Sequence, residues 1–239
     1  MLAITSAHRF RRRLCGVSLM LSPLLFAAAE MLAPASVSDA GRQLDLYAQH
    51  RTALLVSAHA SIAVGACLLT GILGLVHLTR VRGVTWVHVG GLLAGYGLIT
   101  AHVALGGVNL VFAEIAKPGL DRPAMLGLYH AVTHDPVVGA PLLLGHLTFV
   151  LGLCLLAIGL LRGAVGPRWA AVCVLMFPVS DLLLSAVRPD VIGEVVSNLF
   201  GIAGFAGLGL HLLRMSDDAW ETGTAAEARA VPAGLPVPA

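Results

Sequence analysis

Two imidazoles and a carboxamide recur at helical spacing in the stretch 86–114, WVHVGGLLAGYGLITAHVALGGVNLVFAE, which is otherwise almost wholly apolar. On a regular helix the heptad His88, Gly95, His102, Asn109 drifts by only about 20° per step, so these groups share a stripe with Gly91 and Gly106. Other ionisable groups interrupt the remaining apolar runs: Glu30, His59, His146 and Asp181. Carboxylates and imidazoles can bind a cation, ligate a metal or pass a proton. In hydrocarbon they are costly unless they are paired or solvated, so such groups normally face one another or a wet cavity. We therefore expect a polar pocket lined by Glu30, His59, His102, His146 and Asp181, with Arg188 and Glu194 near its mouth. The competing expectation is plainer. Isolated intramembrane histidines also serve as hydrogen-bonding glue between helices, and groups near a span's end snorkel to the interface. Span two favours the pocket, because His59, Ala63, Ala66, Thr70 and His77 form one small or polar stripe. His146 leaves the matter open, lying roughly 100° or more from the stripe of Gly145, Gly152 and Gly159.

Three sharper chemistries remain as alternatives. A b-type haem needs two histidines on facing helices, and His59 with His102, or His77 with His88, could supply them. A zinc site could start from His130 and His134, whose i, i+4 spacing puts both on one helix face with Asp135 and Glu114 close in sequence. Intramembrane zinc hydrolysis would need further His motifs on a late span, and these are missing. Proton-coupled transport could use His and Asp as relay groups, although no inverted repeat supports it.

The elements that position these groups follow from composition. Of the 239 residues, 57% are hydrophobic and 12% are charged, with a mean hydropathy of +0.87; soluble domains carry roughly 25% charged residues. This excludes an ordinary soluble domain. A net charge of +2 gives no reason to expect a nucleic-acid partner. Cys15, Cys67, Cys154 and Cys173 fall inside apolar runs without metal or redox spacing, so they read as core residues.

We expect an all-α polytopic bundle of six spans at about 14–33, 53–78, 86–114, 138–161, 169–187 and 192–213. The four arginines of MLAITSAHRFRRR precede a first apolar run that is either a retained signal anchor or a cleaved signal peptide. Its length favours retention. Residues 34–52 read as a solvent loop with one amphipathic turn, and 123–134 as a short non-spanning helix between spans three and four, capped by Asp121. Pro178 should kink span five. The tail 215–239 reads as disordered. The basic residues set the orientation: Arg9, Arg11, Arg12, Arg13, Arg80, Arg82, Arg162, Arg168 and Arg214 fall on one side. Arg42, Arg51, Lys117, Arg122 and Arg188 fall on the other. That bias puts both termini in the cytoplasm and the pocket toward the outside.

At 159–169, GLLRGAVGPRW, a glycine-ended helix, an arginine and then Pro167-Arg168-Trp169 form a hairpin between spans four and five. It resembles that of a group of uncharacterised bacterial six-helix integral membrane proteins, which share the short first span and the long outer loop between spans three and four. The resemblance implies fold and a cell-membrane location, and no activity comes with it. The sequence thus points to a multi-pass protein of the lipid bilayer that takes a small-molecule, ion or proton ligand in a binding, transport-accessory or structural role. It makes no catalytic assignment and commits to neither haem nor zinc.

Overall fold

The computed structural model describes residues 2–80, 82–187 and 191–223. Their order is α1 (Leu2–Leu32), α2 (Ala40–Gln49), α3 (Arg51–Leu78), α4 (Val84–Gly97), a π-helical stretch (Leu98–Val103) and α5 (Ala104–Ile115). Then come α6 (Arg122–His134), α7 (Pro136–Gly163), α8 (Arg168–Val187), α9 (Val191–Arg214) and α10 (Asp217–Thr222). Among the described residues, five helical segments are long and apolar enough to cross a membrane: Ser6–Leu32, Arg51–Leu78, Val84–Ile115, Pro136–Gly163 and Gly193–Arg214. The expected fifth span is helical as α8 and packs between α7 and α9.

These helices close into a ring. α1 packs on α3 and α9, α9 on α8, α8 on α7 and α7 on α4, and the continuation of α4 returns to α3. The main core runs through this ring from Leu19 and Leu68 to Leu153, Leu156, Phe177 and Phe205. Large apolar side chains also cover the outside, among them Leu73, Leu92, Leu143, Leu183 and Leu199. An exposed apolar belt of this extent on a long-helix bundle marks a surface made for lipid rather than water.

The α4–α7 seam is the closest approach. A Cβ added to Gly152 would sit 2.7 Å from Ala94 Cα and 2.8 Å from Gly90 O, and one added to Gly90 would sit 2.8 Å from Gly152 O. Glycines let the two backbones touch, which is how membrane helices gain packing energy without a hydrophobic drive between them. The expected stripe of Gly145, Gly152 and Gly159 is the α7 side of this seam, with each glycine against the helix that contains α4.

At Leu98–Val103 that helix changes partner. α4 lies along α7, whereas α5 lies along α3. The π-helical stretch makes the change, because a wider turn inserts about one residue and rotates the downstream residues by about 100° relative to an unbroken α-helix. The heptad stripe is therefore broken. His88 is exposed and bonds back to Val84 O at 2.8 Å, while His102 and Asn109 turn inward.

Two expectations for the chain ends and loops need correction. The solvent loop 34–52 contains a full helix, α2. Asp39 caps it by accepting from Arg42 N at 2.7 Å, and Leu44 is fully buried in a second cluster with Leu54, Phe112 and Ile115. Tyr47 stacks on Phe112 with centroids 5.7 Å apart, and burial raises its phenol pKa.

The first part of the supposedly disordered tail is ordered too. Ser216 caps α10, and Trp220 is 3% exposed, packed 4.7 Å from the ring of His77. The cause lies far away in sequence. Arg12 donates to Leu212 O and Leu213 O, each at 3.0 Å, and to Asp217 Oδ1 at 2.9 Å, so the C-terminal carbonyls of α9 and the start of α10 share one buried cation. Arg9 adds a second bond to Asp217, and His8 pairs with Glu221 at 2.7 Å. Residues 224–239 lie outside the described residues.

The guanidinium of Arg12, then that of Arg9, holds the Asp217 carboxyl below the usual carboxylate range. A depressed carboxylate pKa stabilises the folded contact above the unfolded value of about 4, and that contribution is lost as pH falls through the folded value. Docking of α10 is therefore expected to hold at neutral pH and to weaken progressively as pH falls below about 4. Trp220 fluorescence would check this in a Trp86→Phe, Trp169→Phe background that also carries His8→Gln, so that the His8–Glu221 pair is not the group being titrated.

Candidate functional site

Where α5 leans away from α7 onto α3, a gap opens in the ring. It is a cavity of about 270 Å³ between α1, α3, the π-helical stretch, α5, α7 and α8. Its position follows from the partner change at Leu98–Val103, since one element cannot pack on both α3 and α7 along its whole length.

The polar lining comes from separate helices. Glu30 belongs to α1, Ser57 and Ser61 to α3, His102 to the π-helical stretch, Asn109 to α5, His146 to α7 and Asp181 to α8. The apolar lining is Phe26, Val64, Leu105, Phe149, Val150 and Phe177. Phe26 and Phe149 flank the His102 ring edge-to-face, with centroids at 5.0 and 4.8 Å, and Phe26 meets Phe177 at 5.5 Å. Pro178 also lines the cavity; as a proline inside α8 it leaves one carbonyl without its helical partner.

The hydrogen bonds of these groups set what they offer. Asn198 donates to Glu30 Oε2 at 2.6 Å. Ser57 Oγ donates to Ala29 O at 2.7 Å, tying α3 to α1, and Ser61 Oγ donates to Ser57 O at 3.0 Å. His102 differs: its Nε2 is buried with no hydrogen-bond partner, the one such side-chain atom among the described residues. A buried polar atom without a partner costs about 1–3 kcal/mol. Orphaned polar atoms and π-helical turns both concentrate at functional sites.

Of the expected pocket residues, Glu30, His102, His146 and Asp181 meet at this cavity. His59 does not. It is exposed, and its Nδ1 lies 2.7 Å from Leu55 O of its own helix. The packed face of α3 runs through Leu54, Ala58, Val64, Leu68, Ile72 and Leu75, and the small stripe that begins at His59 is turned away from it. Small residues near a histidine misled here, because Ser57 and Ser61, at i and i+4 with Val64, mark the lining face instead. Glu194 is exposed and does not line the cavity, and Arg188 lies outside the described residues.

The metal and haem alternatives gain no geometry. His130 and His134 have ring centroids 5.4 Å apart, both exposed, and the described residues hold no group of three or more His, Cys, Asp or Glu placed to share an ion. Of the haem pairs, His59 lies outside the cavity that His102 lines. His77 packs on Trp220, while His88 bonds within its own helix.

Comparison of the chain with protein-family models, curated proteins and solved structures finds no match.

Proposed function

We propose that the chain is a multi-pass protein of the cell membrane that binds a small molecule in this cavity without catalysing its conversion. The carrying observation is the convergence of Glu30, His102, His146 and Asp181, from four different helical elements, on one cavity. Chance placement of intramembrane polar groups would scatter them over lipid-facing sides at a cost for each. A volume near 270 Å³ suits a compact ligand, since pockets for drug-sized molecules start at about 300 Å³.

In this reading α8 also crosses the membrane, as the fifth of six spans, and α2 and α6 lie on the outer surface. The layout is then that of the six-helix bacterial proteins whose hairpin at 159–169 this chain resembles. Both termini are cytoplasmic. The contact of Arg12 with α9 and α10, and of His77 with Trp220, gathers the two ends at the arginine-rich pole. The cavity lies toward the opposite pole, beside the C-terminal end of α1, and so opens outward. Its role is ligand capture or support of transport.

A thermal-shift panel of small amines, alcohols and carboxylates on the purified chain tests this. At least one class is expected to raise the melting midpoint saturably, and Val150→Trp, which fills the cavity, is expected to abolish the rise. No shift from any class, or an equal shift in Val150→Trp, contradicts the proposal.

A further inference from the structure

The unfilled hydrogen-bonding capacity of the cavity is one-sided. Two carboxylates line it, Glu30 and Asp181, and among the described residues no lysine or arginine does. The hydroxyl protons of Ser57 and Ser61 are already committed to the carbonyls of Ala29 and Ser57, so what remains on those oxygens is lone pairs. Asn198 satisfies a single oxygen of Glu30. A hydroxyl accepts through two lone pairs and a carboxylate through about four; Asn109 and His146 also bring N–H donors to the wall, but the acceptors outnumber them.

His102 independently marks the cavity as a place for an occupant, because its buried Nε2 lacks any partner within the protein. An imidazole nitrogen in this state is completed by an occupant, as an acceptor in one tautomer and a donor in the other. The surrounding rings of Phe26, Phe149 and Phe177 supply an apolar enclosure. Aromatic faces attract a cation and repel an anion through the ring quadrupole.

Resting on the proposed ligand-binding function, we infer that the occupant is a small organic cation: a protonated amine with a compact apolar body. The ammonium group donates to the carboxylates of Glu30 and Asp181, the body lies against the phenylalanines, and the positive charge offsets one of the two carboxylates. An anion would meet two carboxylates with no fixed cation to offset them. A neutral alcohol would bring no charge to offset either carboxylate.

Matched probes test the inference on the full chain in detergent or nanodiscs: 2-phenylethylamine, 2-phenylethanol and 3-phenylpropionate, with hexylamine and hexanol as an aliphatic pair. By thermal shift and calorimetric titration, the amines are expected to bind saturably and at least tenfold more tightly than their alcohol and carboxylate counterparts. Glu30→Gln and Asp181→Asn are each expected to weaken amine binding at least tenfold more than they weaken alcohol binding. Asp181→Asn alone decides if Glu30→Gln fails to fold, since Glu30 also holds Asn198. Carboxylate or alcohol binding equal to or tighter than amine binding, lost in Val150→Trp, overturns the cation inference and leaves the binding function standing. Amine binding that is unchanged in Asp181→Asn also overturns it. Failure of every probe overturns both.

Discussion

Gly152→Leu is expected to prevent the chain from forming a stable bundle, a cost above about 4 kcal/mol, in the range reached only by a few named mechanisms. The mechanism here is backbone contact. A Cβ at this position already falls 2.7 Å from Ala94 Cα and 2.8 Å from Gly90 O, and neither atom can rotate away as a side chain would. Relief requires α7 and α4 to separate along their whole seam, which moves Gly145 and Phe149 and so breaks the wall of the cavity. For a chain of this size such a loss corresponds to a fall of roughly 10 °C or more in melting midpoint, read by thermal scanning and size-exclusion profile in detergent. Gly107→Leu is the matched control: nothing lies within 4 Å of a Cβ built there, and its midpoint is expected to be native. Equal midpoints for the two variants would show that the close seam does not hold the bundle.

The next largest effect is expected from Arg12→Ala, about 2 kcal/mol, from the charge-assisted bonds lost at Leu212 O and Leu213 O. It is smaller than the effect of the seam variant because water at the helix end can take over those carbonyls. The change also frees Asp217 and with it the short helix α10, so Trp220 leaves its site beside His77. Protease cleavage within 215–223 and a red shift of Trp220 emission would report the release. Arg12→Lys should recover only part of the loss, because a single ammonium cannot reproduce the planar fork that reaches three acceptors at once. Unchanged emission and protease resistance in Arg12→Ala would show that Trp220 is held by packing alone.

Much of the architecture was legible in the sequence because lipid imposes a length and a composition on each span. Runs ending at Ala33, Leu78 and Leu161 lie close to the ends of α1, α3 and α7. The glycine heptad Gly145, Gly152, Gly159 announced a packing surface, and it forms one. What failed were long-range features. Nothing near Asp217 signals that Arg12, 205 positions away, will order α10. The π-helical stretch has no Pro or cap to mark it, yet it decides that His102 faces the cavity and His88 does not. His59 was misplaced for a related reason. A histidine on a small-residue stripe looks like a packing face, but the larger apolar side chains of α3 set its orientation in the ring, and they brought Ser57 and Ser61 to the cavity instead.

Side-specific cysteine labelling tests the central claim most directly. Ser61→Cys and Asn109→Cys, placed in a background with Cys15, Cys67, Cys154 and Cys173 changed to alanine, put a thiol on the cavity wall from α3 and α5. In intact cells a membrane-impermeant maleimide added outside is expected to modify both, and adding Val150→Trp to the same chain is expected to block the reaction. Labelling only after the membrane is permeabilised, or only after denaturation, would contradict a solvent-filled cavity that opens outward.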